Sequence, residues 1–305
     1  MEWDPSRFFR PSGSPSPYAL LILNQPINEK AFGVLSRYAS YIICADGGAN
    51  RLFDMPEVNE ESKVSDIYRL DYLHNALRLG QLPDSIIGDL DSIRPAVREH
   101  YEKLGVDHSF PRKGKPTNGA NGSTSTSPSD QSPLEIVILG GLGGRVDQAF
   151  SQVHHLYMMT QTQRSIRENE TSSPDANPAA GGNLYLVSEE SITFIIQTGK
   201  NTIHTPATRR SDVTASSDVS ESPRKRKREQ EQKEPEYFFE ENIGIIPLSA
   251  PAKITTHGFE WDVENWHTEI GGNLSTSNHI RAEKVEVETS VPVLFTVELA
   301  ERLKR

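Results

Sequence analysis

Over the first half of the chain, apolar residues fall into short runs separated by longer amphipathic stretches. Residues 18–24 (Tyr-Ala-Leu-Leu-Ile-Leu-Asn) have the length and composition of a strand buried on both faces. In 28–39, Phe32, Leu35 and Tyr38 fall on one side of a helix. A second strand at 41–45 ends in Asp46-Gly47-Gly48-Ala49-Asn50, and helices are expected over 50–54 and 66–79. A third strand runs into Gly88-Asp89-Leu90-Asp91-Ser92, after which Pro95 opens a helix over 96–104. A fourth, at 134–139, ends in Gly140-Gly141-Leu142-Gly143-Gly144 ahead of a helix over 145–159. Strands alternating with helices predict an α/β domain with a parallel sheet over residues 18–160.

The pattern changes at residue 183. Short β-rich segments follow at 184–187, 192–197, 242–248, 252–261, 284–289 and 292–299, with no helical periodicity between them. They predict an all-β domain over 183–305 of about six strands, a sandwich or an open barrel on pattern alone. Residues 1–17, rich in Ser, Pro and Gly, predict a flexible lead-in. Three stretches lack the apolar area that offsets ordering entropy: 111–133, a linker at 161–182, and an insertion at 204–236.

Composition narrows the function classes. A length of 305 residues permits about two domains. The net charge of −10 disfavours a chain that binds nucleic acid nonspecifically along its length. The single cysteine, Cys44, excludes an internal disulfide framework and a Cys-based zinc site, and fits a reducing, cytoplasmic setting. No run approaches the ~18 apolar residues of a membrane span, and 1–17 lacks the apolar core of a secretory signal. The run Arg224-Lys-Arg-Lys-Arg228 resembles a nuclear-localisation or polyanion-binding patch, and acidic residues over 229–236 partly neutralise it.

The candidate chemistry sits at the strand ends. If the strands are parallel, Asp46-Gly47-Gly48, Gly88-Asp89-Leu90-Asp91 and Gly140–Gly144 with Arg145 and Asp147 meet on one rim, where α/β sheets bind ligands. Strand alternation would point Asp89 and Asp91 the same way and Leu90 into the core. Two carboxylates there suit Mg²⁺ with substrate phosphates, although Gly, Asp and Ser also simply end strands. Paired glycines let backbone N–H groups approach phosphate, or merely make a tight turn. The spacing is neither a Walker loop nor a dinucleotide fingerprint. Arg145 at a helix start opposes the helix dipole, a placement that a bound polyphosphate would compensate. Asp147 can orient Arg145, bind metal, accept a proton, or serve only helix-start electrostatics.

These segments, together with Thr255-Thr256-His257-Gly258-Phe259-Glu260-Trp261 and Ser275-Thr276-Ser277-Asn278, resemble the thiamine pyrophosphokinase family. The resemblance runs in order through both folded parts. It implies an α/β domain, a C-terminal β-sandwich and a homodimer. It also implies transfer of a pyrophosphoryl group from ATP to thiamine, with AMP released. On that basis Asp46, Asp89 and Asp91 hold Mg²⁺ and the triphosphate, Arg145 stabilises the transferred group, and Asp147 handles metal or hydroxyl. Gly47, Gly48, Asn50, Gly141, Gly143, Gly144 and Gln148 lie against the nucleotide. Trp261 stacks on thiamine from the partner subunit, with Ser275, Ser277 and Asn278 as polar contacts. From the residues alone, Trp261 as a core anchor stays open. One departure stands out. The family carries a Thr-Asp element opening a helix between Gly105 and Leu134, and no Thr-Asp pair occurs there. That leaves a catalytically impaired or inactive nucleotide- or thiamine-binding paralogue or splice form as the alternative.

Overall fold

The structure, a computed structural model, describes residues 1–55, 82–106, 133–170, 180–210 and 236–305. The expected helix at 66–79, nearly all of 111–133 and the basic run Arg224–Arg228 lie outside the described residues. The chain divides into two compact units, Arg7–Glu189 with Arg305, and Met1–Ser6 with Glu190–Lys304.

The strands, in chain order, are β1 (Glu2–Trp3), β2 (Tyr18–Ile22), β3 (Tyr41–Ala45), β4 (Ser85–Ile87), β5 (Glu135–Leu139), β6 (Leu184–Val187) and β7 (Ser191–Ile196). They continue as β8 (Gly199–His204), β9 (Phe239–Pro247), β10 (Ala252–His257), β11 (Trp266–Thr268), β12 (Ser275–His279), β13 (Lys284–Thr289) and β14 (Val293–Leu299). The helices are α1 (Glu29–Tyr38), α2 (Gly48–Phe53), α3 (Pro95–Lys103) and α4 (Val146–Glu170).

In the α/β unit the strands lie in the order β6-β5-β2-β3-β4, and every pairing is parallel. The predicted α/β class is therefore correct. Leu20, Ile22, Cys44, Ile86, Val137 and Leu139 are fully buried in this sheet. Cys44 is inert in that setting, its thiol pushed up to about 12 by burial. Asn28 caps α1, its side chain accepting from the Ala31 N–H at 3.0 Å while its amide donates to the Ser188 and Glu189 carbonyls. Pro95 opens α3, and Gly105 beyond its end has φ +77°, the left-handed stop that glycine adopts without strain.

Several expectations are corrected here. The strand 184–187 belongs to the parallel sheet, pairing with β5, and not to the β-rich part. Its uninterrupted apolar run is the mark of a strand covered on both faces. The helix expected over 145–159 runs on to Glu170, through half of the proposed linker 161–182. Gln, Arg and Glu there are good helix formers, and Arg164 pairs with Glu168 one turn on at 2.9 Å. Residues 1–17 are not simply a flexible lead-in. β1 pairs with β8, Trp3 is buried, and Phe8 and Phe9 on the 3₁₀ turn Pro5–Phe9 are buried too. Three aromatic anchors outweigh the Ser/Pro/Gly composition around them.

The β unit has two sheets, ordered β1-β8-β13-β10-β11 and β12-β9-β14-β7. Trp3 of the first stacks on Phe194 of the second at 5.1 Å, and Phe194 meets Phe295 at 5.5 Å. This makes it a sandwich, as expected, but with more strands than about six. The pattern missed β1, β8, β11 and β12. β1, β11 and β12 are edge strands, and in β12 the composition is Ser, Thr, Asn and His. Such strands show no apolar alternation because little of them faces a core. The insertion 204–236 begins later than expected. Thr205 and Thr208 are buried, and the Arg209 N–H donates to the Phe239 carbonyl at 2.9 Å. Among the described residues no helix is long and apolar enough to cross a membrane.

Candidate active site

β2 lies between β3 and β5, so the chain leaves the sheet centre in both directions and opens a crevice at the carboxyl ends of β2 and β5. The expected convergence is observed: the turns after β3, β4 and β5 share that edge.

Asp46, Asp89 and Asp91 come together there, one carboxylate oxygen of each lying within 4.8 Å of the others. The cause differs from the strand alternation expected. β4 ends at Ile87, and the two aspartates sit on a turn in which Gly88 has φ +144° and Leu90 φ +63°. Leu90 is half-buried rather than turned into the core. Left-handed backbone, not pleat, aims both carboxylates at Asp46. Asp46 is itself at φ +44°, its N–H donating to the Ile87 carbonyl at 2.8 Å. Its Oδ2 accepts from the Ser92 N–H at 3.4 Å, and its Oδ1 is shut off from solvent with no hydrogen-bond partner. A buried carboxylate oxygen left so is costly, and three clustered carboxylates repel one another. A divalent cation answers both problems, so the residues fit one.

Asn50 does other work than the nucleotide contact expected. Its side-chain amide donates to the Ser92 carbonyl at 2.8 Å and its oxygen accepts from the Arg94 N–H at 2.9 Å. α2 thereby fastens the loop that carries Asp89 and Asp91. Ser92 adds a hydroxyl bond to Asp91 Oδ1 at 2.9 Å. Arg145 and Asp147 form a two-point pair, Nε–Oδ1 3.1 Å and Nη2–Oδ2 2.7 Å, both exposed, and Gln148 beside them is exposed. The glycines divide. Added Cβ atoms on Gly48 and Gly141 would lie 2.3 Å from the Ile22 carbonyl oxygen and 2.5 Å from Leu186 Cγ, so the fold itself requires these two. Gly143 meets nothing closer than 3.9 Å, which leaves its backbone open to a ligand. The sequence reading overlooked Asn24 and Gln25, which follow β2 on this rim; polar residues after a central parallel strand were the available signal.

In the β unit, Trp261 is 56% exposed, which rules out the core-anchor reading; Phe259, 5% exposed, fills that place. Asn278 clamps the Trp261 backbone, its Oδ1 accepting from the N–H at 3.2 Å and its Nδ2 donating to the carbonyl at 2.9 Å. The Trp261 ring lies 5.0 Å from that of His279. Asp262 ties the preceding turn through the Gly258 and Phe259 N–H groups. Ser275, Ser277 and Asn278 lie on β12, with Ser277 at φ +57° where the pairing with β9 slips. Asn278 is buried and spends its side chain on Trp261 and the His279 N–H.

A parallel sheet whose carboxyl rim gathers three carboxylates and glycine turns, joined in sequence to a β-sandwich, is a scaffold suited to phosphate chemistry. The chain belongs to the thiamin pyrophosphokinase family. Its catalytic-domain model matches residues 32–167 and its vitamin B1 binding domain model residues 227–294, together two thirds of the chain. Thiamine pyrophosphokinase 1 of Oryza sativa subsp. japonica is 29% identical over 92% of this chain and 87% of its own length. Thiamine pyrophosphokinase of Saccharomyces cerevisiae is 23% identical over 92% and 85%. The yeast thiamin pyrophosphokinase crystal structure superposes with a TM-score of 0.66 at 21% identity, covering 98% of this chain and 91% of that one. The Candida albicans structure gives 0.62 at 22%, covering 98% and 93%.

Proposed function

We propose that this chain transfers the pyrophosphoryl group of ATP to the hydroxyl of thiamine, giving thiamine diphosphate and AMP. The observation that carries the reading is the Asp46–Asp89–Asp91 cluster, with its orphaned carboxylate oxygen, in a chain that matches both domains of the family.

In this transfer the thiamine hydroxyl gives up its proton to solvent as its oxygen bonds to the β-phosphorus, the bond from that phosphorus to the α–β bridging oxygen breaks, and AMP leaves with that oxygen. Such a step needs positioning and charge neutralisation more than covalent help. Asp46, Asp89 and Asp91 are the residues that would hold Mg²⁺, which supplies positive charge to the phosphate oxygens. Asn50 and Ser92 hold the aspartate loop in place. Arg145, oriented by Asp147, faces the transferred group, and the open backbone at Gly143 admits phosphate. Gly47, Gly144 and Gln148 border the nucleotide. Trp261 offers an indole face to the cationic thiazolium, with Ser275 and Ser277 beside it and Asn278 holding the loop rather than touching thiamine. We further infer a homodimer in which Trp261 serves the site of the partner subunit, and a cytoplasmic setting consistent with a lone, buried thiol.

The test is the purified full chain with ATP, Mg²⁺ and thiamine. AMP and thiamine diphosphate should form in equal amounts. Formation of ADP in place of AMP overturns the reading in favour of γ-phosphoryl transfer, and no thiamine diphosphate from a folded chain overturns it in favour of the inactive paralogue. Light scattering of the same sample should give a mass near twice that of one chain. Trp261→Ala should raise the thiamine KM about tenfold while leaving the ATP KM unchanged, since a desolvated cation–π contact contributes about 1–2 kcal/mol. Trp261→Phe should recover part of that loss.

A further inference from the structure

We propose that Arg51 is a polyphosphate-binding residue of this site and that Asn24 is the residue that positions it; this rests on the pyrophosphoryl-transfer reading above.

Each of three strand ends on the rim is followed by an arginine: Arg51 after β3, Arg94 after β4 and Arg145 after β5. Arg94 is paired with Asp54, and Arg145 is held by both oxygens of Asp147. Arg51 pairs with no carboxylate among the described residues. Its Nε donates to Asn24 Oδ1 at 3.0 Å, which leaves the four N–H bonds of the terminal nitrogens available.

The anchor is placed by the fold. Leu23 continues from β2, its N–H donating to the Leu139 carbonyl at 2.9 Å, so residues 23–25 form the floor between the two glycine turns. On one side, an added Cβ on Gly47 would lie 2.3 Å from Asn24 Nδ2, so Asn24 packs directly against the turn that carries Asp46. On the other, added Cβ atoms on Gly140 and Gly144 would lie 3.4 Å from Gln25 Cβ and 3.5 Å from Gln25 Oε1. Asn24 therefore holds the Arg51 guanidinium on the same turn as one carboxylate of the metal cluster. The charge balance asks for such a group. Three carboxylates, one divalent cation and a triphosphate sum to strong negative charge, and Arg145 is already paired with Asp147. A guanidinium whose two –NH₂ groups have no partner among the described residues suits two phosphate oxygens at once.

The experiment measures binding of inorganic tripolyphosphate, with Mg²⁺, to the full chain by calorimetry, and steady-state kinetics beside it. Arg51→Ala should weaken tripolyphosphate binding and raise the ATP KM by about ten- to a hundredfold, the range for charge-assisted hydrogen bonds, with the thiamine KM and the melting temperature unchanged. Arg51→Lys should recover part of the affinity but not the two-point geometry. Asn24→Ala, which keeps the cation and loses its orientation, should fall between Arg51→Ala and the native chain. Native tripolyphosphate affinity in Arg51→Ala, or no tripolyphosphate binding by the native chain, overturns the proposal. A native chain that binds tripolyphosphate through Arg51 but makes no thiamine diphosphate sinks the transfer reading and leaves the anion site standing.

Discussion

Replacing Asp89 by Asn is expected to lower kcat about a thousandfold at saturating ATP, thiamine and Mg²⁺, because a metal-held phosphoryl group draws several kcal/mol of its stabilisation from the metal. The substitution keeps size and shape and removes only charge. Asp89 is exposed and its side chain makes no hydrogen bond among the described residues, so folding does not depend on it. In the metal-free chain its charge is instead a burden, since it faces Asp46 and Asp91 within 4.8 Å. Removing it should leave the melting temperature in EDTA unchanged or slightly raised. The native chain should gain thermal stability on adding Mg²⁺, since a ligand bound only by the folded state stabilises it. Asp89→Asn should gain little. A variant within tenfold of native kcat would show that Asp89 does not hold the metal. A variant with lost activity, a native Mg²⁺ response and a lowered melting temperature would place its role in folding.

The sequence made the site's ingredients readable and left their geometry hidden. Apolar runs ending in Asp-Gly-Gly, Gly-Asp and Gly-Gly named the three strand ends, because a buried parallel strand must be apolar throughout and must stop where its ligand groups begin. Parallel pairing then brought them to one edge. The positive φ of Asp46 and Leu90 had no such signal, as neither residue type demands it. Asn24 was hidden because the pattern counts it as the last residue of the first strand, whereas β2 ends at Ile22. Asn278 was read as a ligand contact because burial, and not residue type, shows that its amide is already spent on Trp261. Trp3 and the strand around Asn201 illustrate the same limit in the β unit. Trp3 Nε1 donates to Asn201 Oδ1 at 3.0 Å across 198 positions, a pairing that no local pattern can announce. Polar edge strands such as β12 are invisible for the converse reason, having little apolar surface to repeat.

The backbone of the aspartate loop is itself open to test, and Gly88→Ala is expected to damage both stability and metal response. At φ +144° an L residue is strained by about 1–3 kcal/mol, and the new Cβ would lie 2.8 Å from Asp46 Cβ, an overpacking that adds about 1–3 kcal/mol. Asp46 has no room to retreat. Its N–H is bonded to the Ile87 carbonyl and its own carbonyl accepts from Ala49, so moving it would disturb the start of α2. The cheaper relief is for residues 88–92 to swing away, which separates Asp89 and Asp91 from Asp46. The control is Gly105→Ala. Gly105 also has positive φ, +77°, yet an added Cβ meets nothing within 4 Å. That variant should lose about 1 kcal/mol and keep native kcat, since it carries the backbone strain without the collision. Urea unfolding and the Mg²⁺-induced melting shift, measured on both, separate the two causes. If Gly88→Ala were no less stable than Gly105→Ala and kept the native Mg²⁺ shift, the close approach of the two turns would not be what assembles the carboxylates. If it loses the shift while Gly105→Ala keeps it, the metal site depends on a contact that only glycine allows between the ends of β3 and β4.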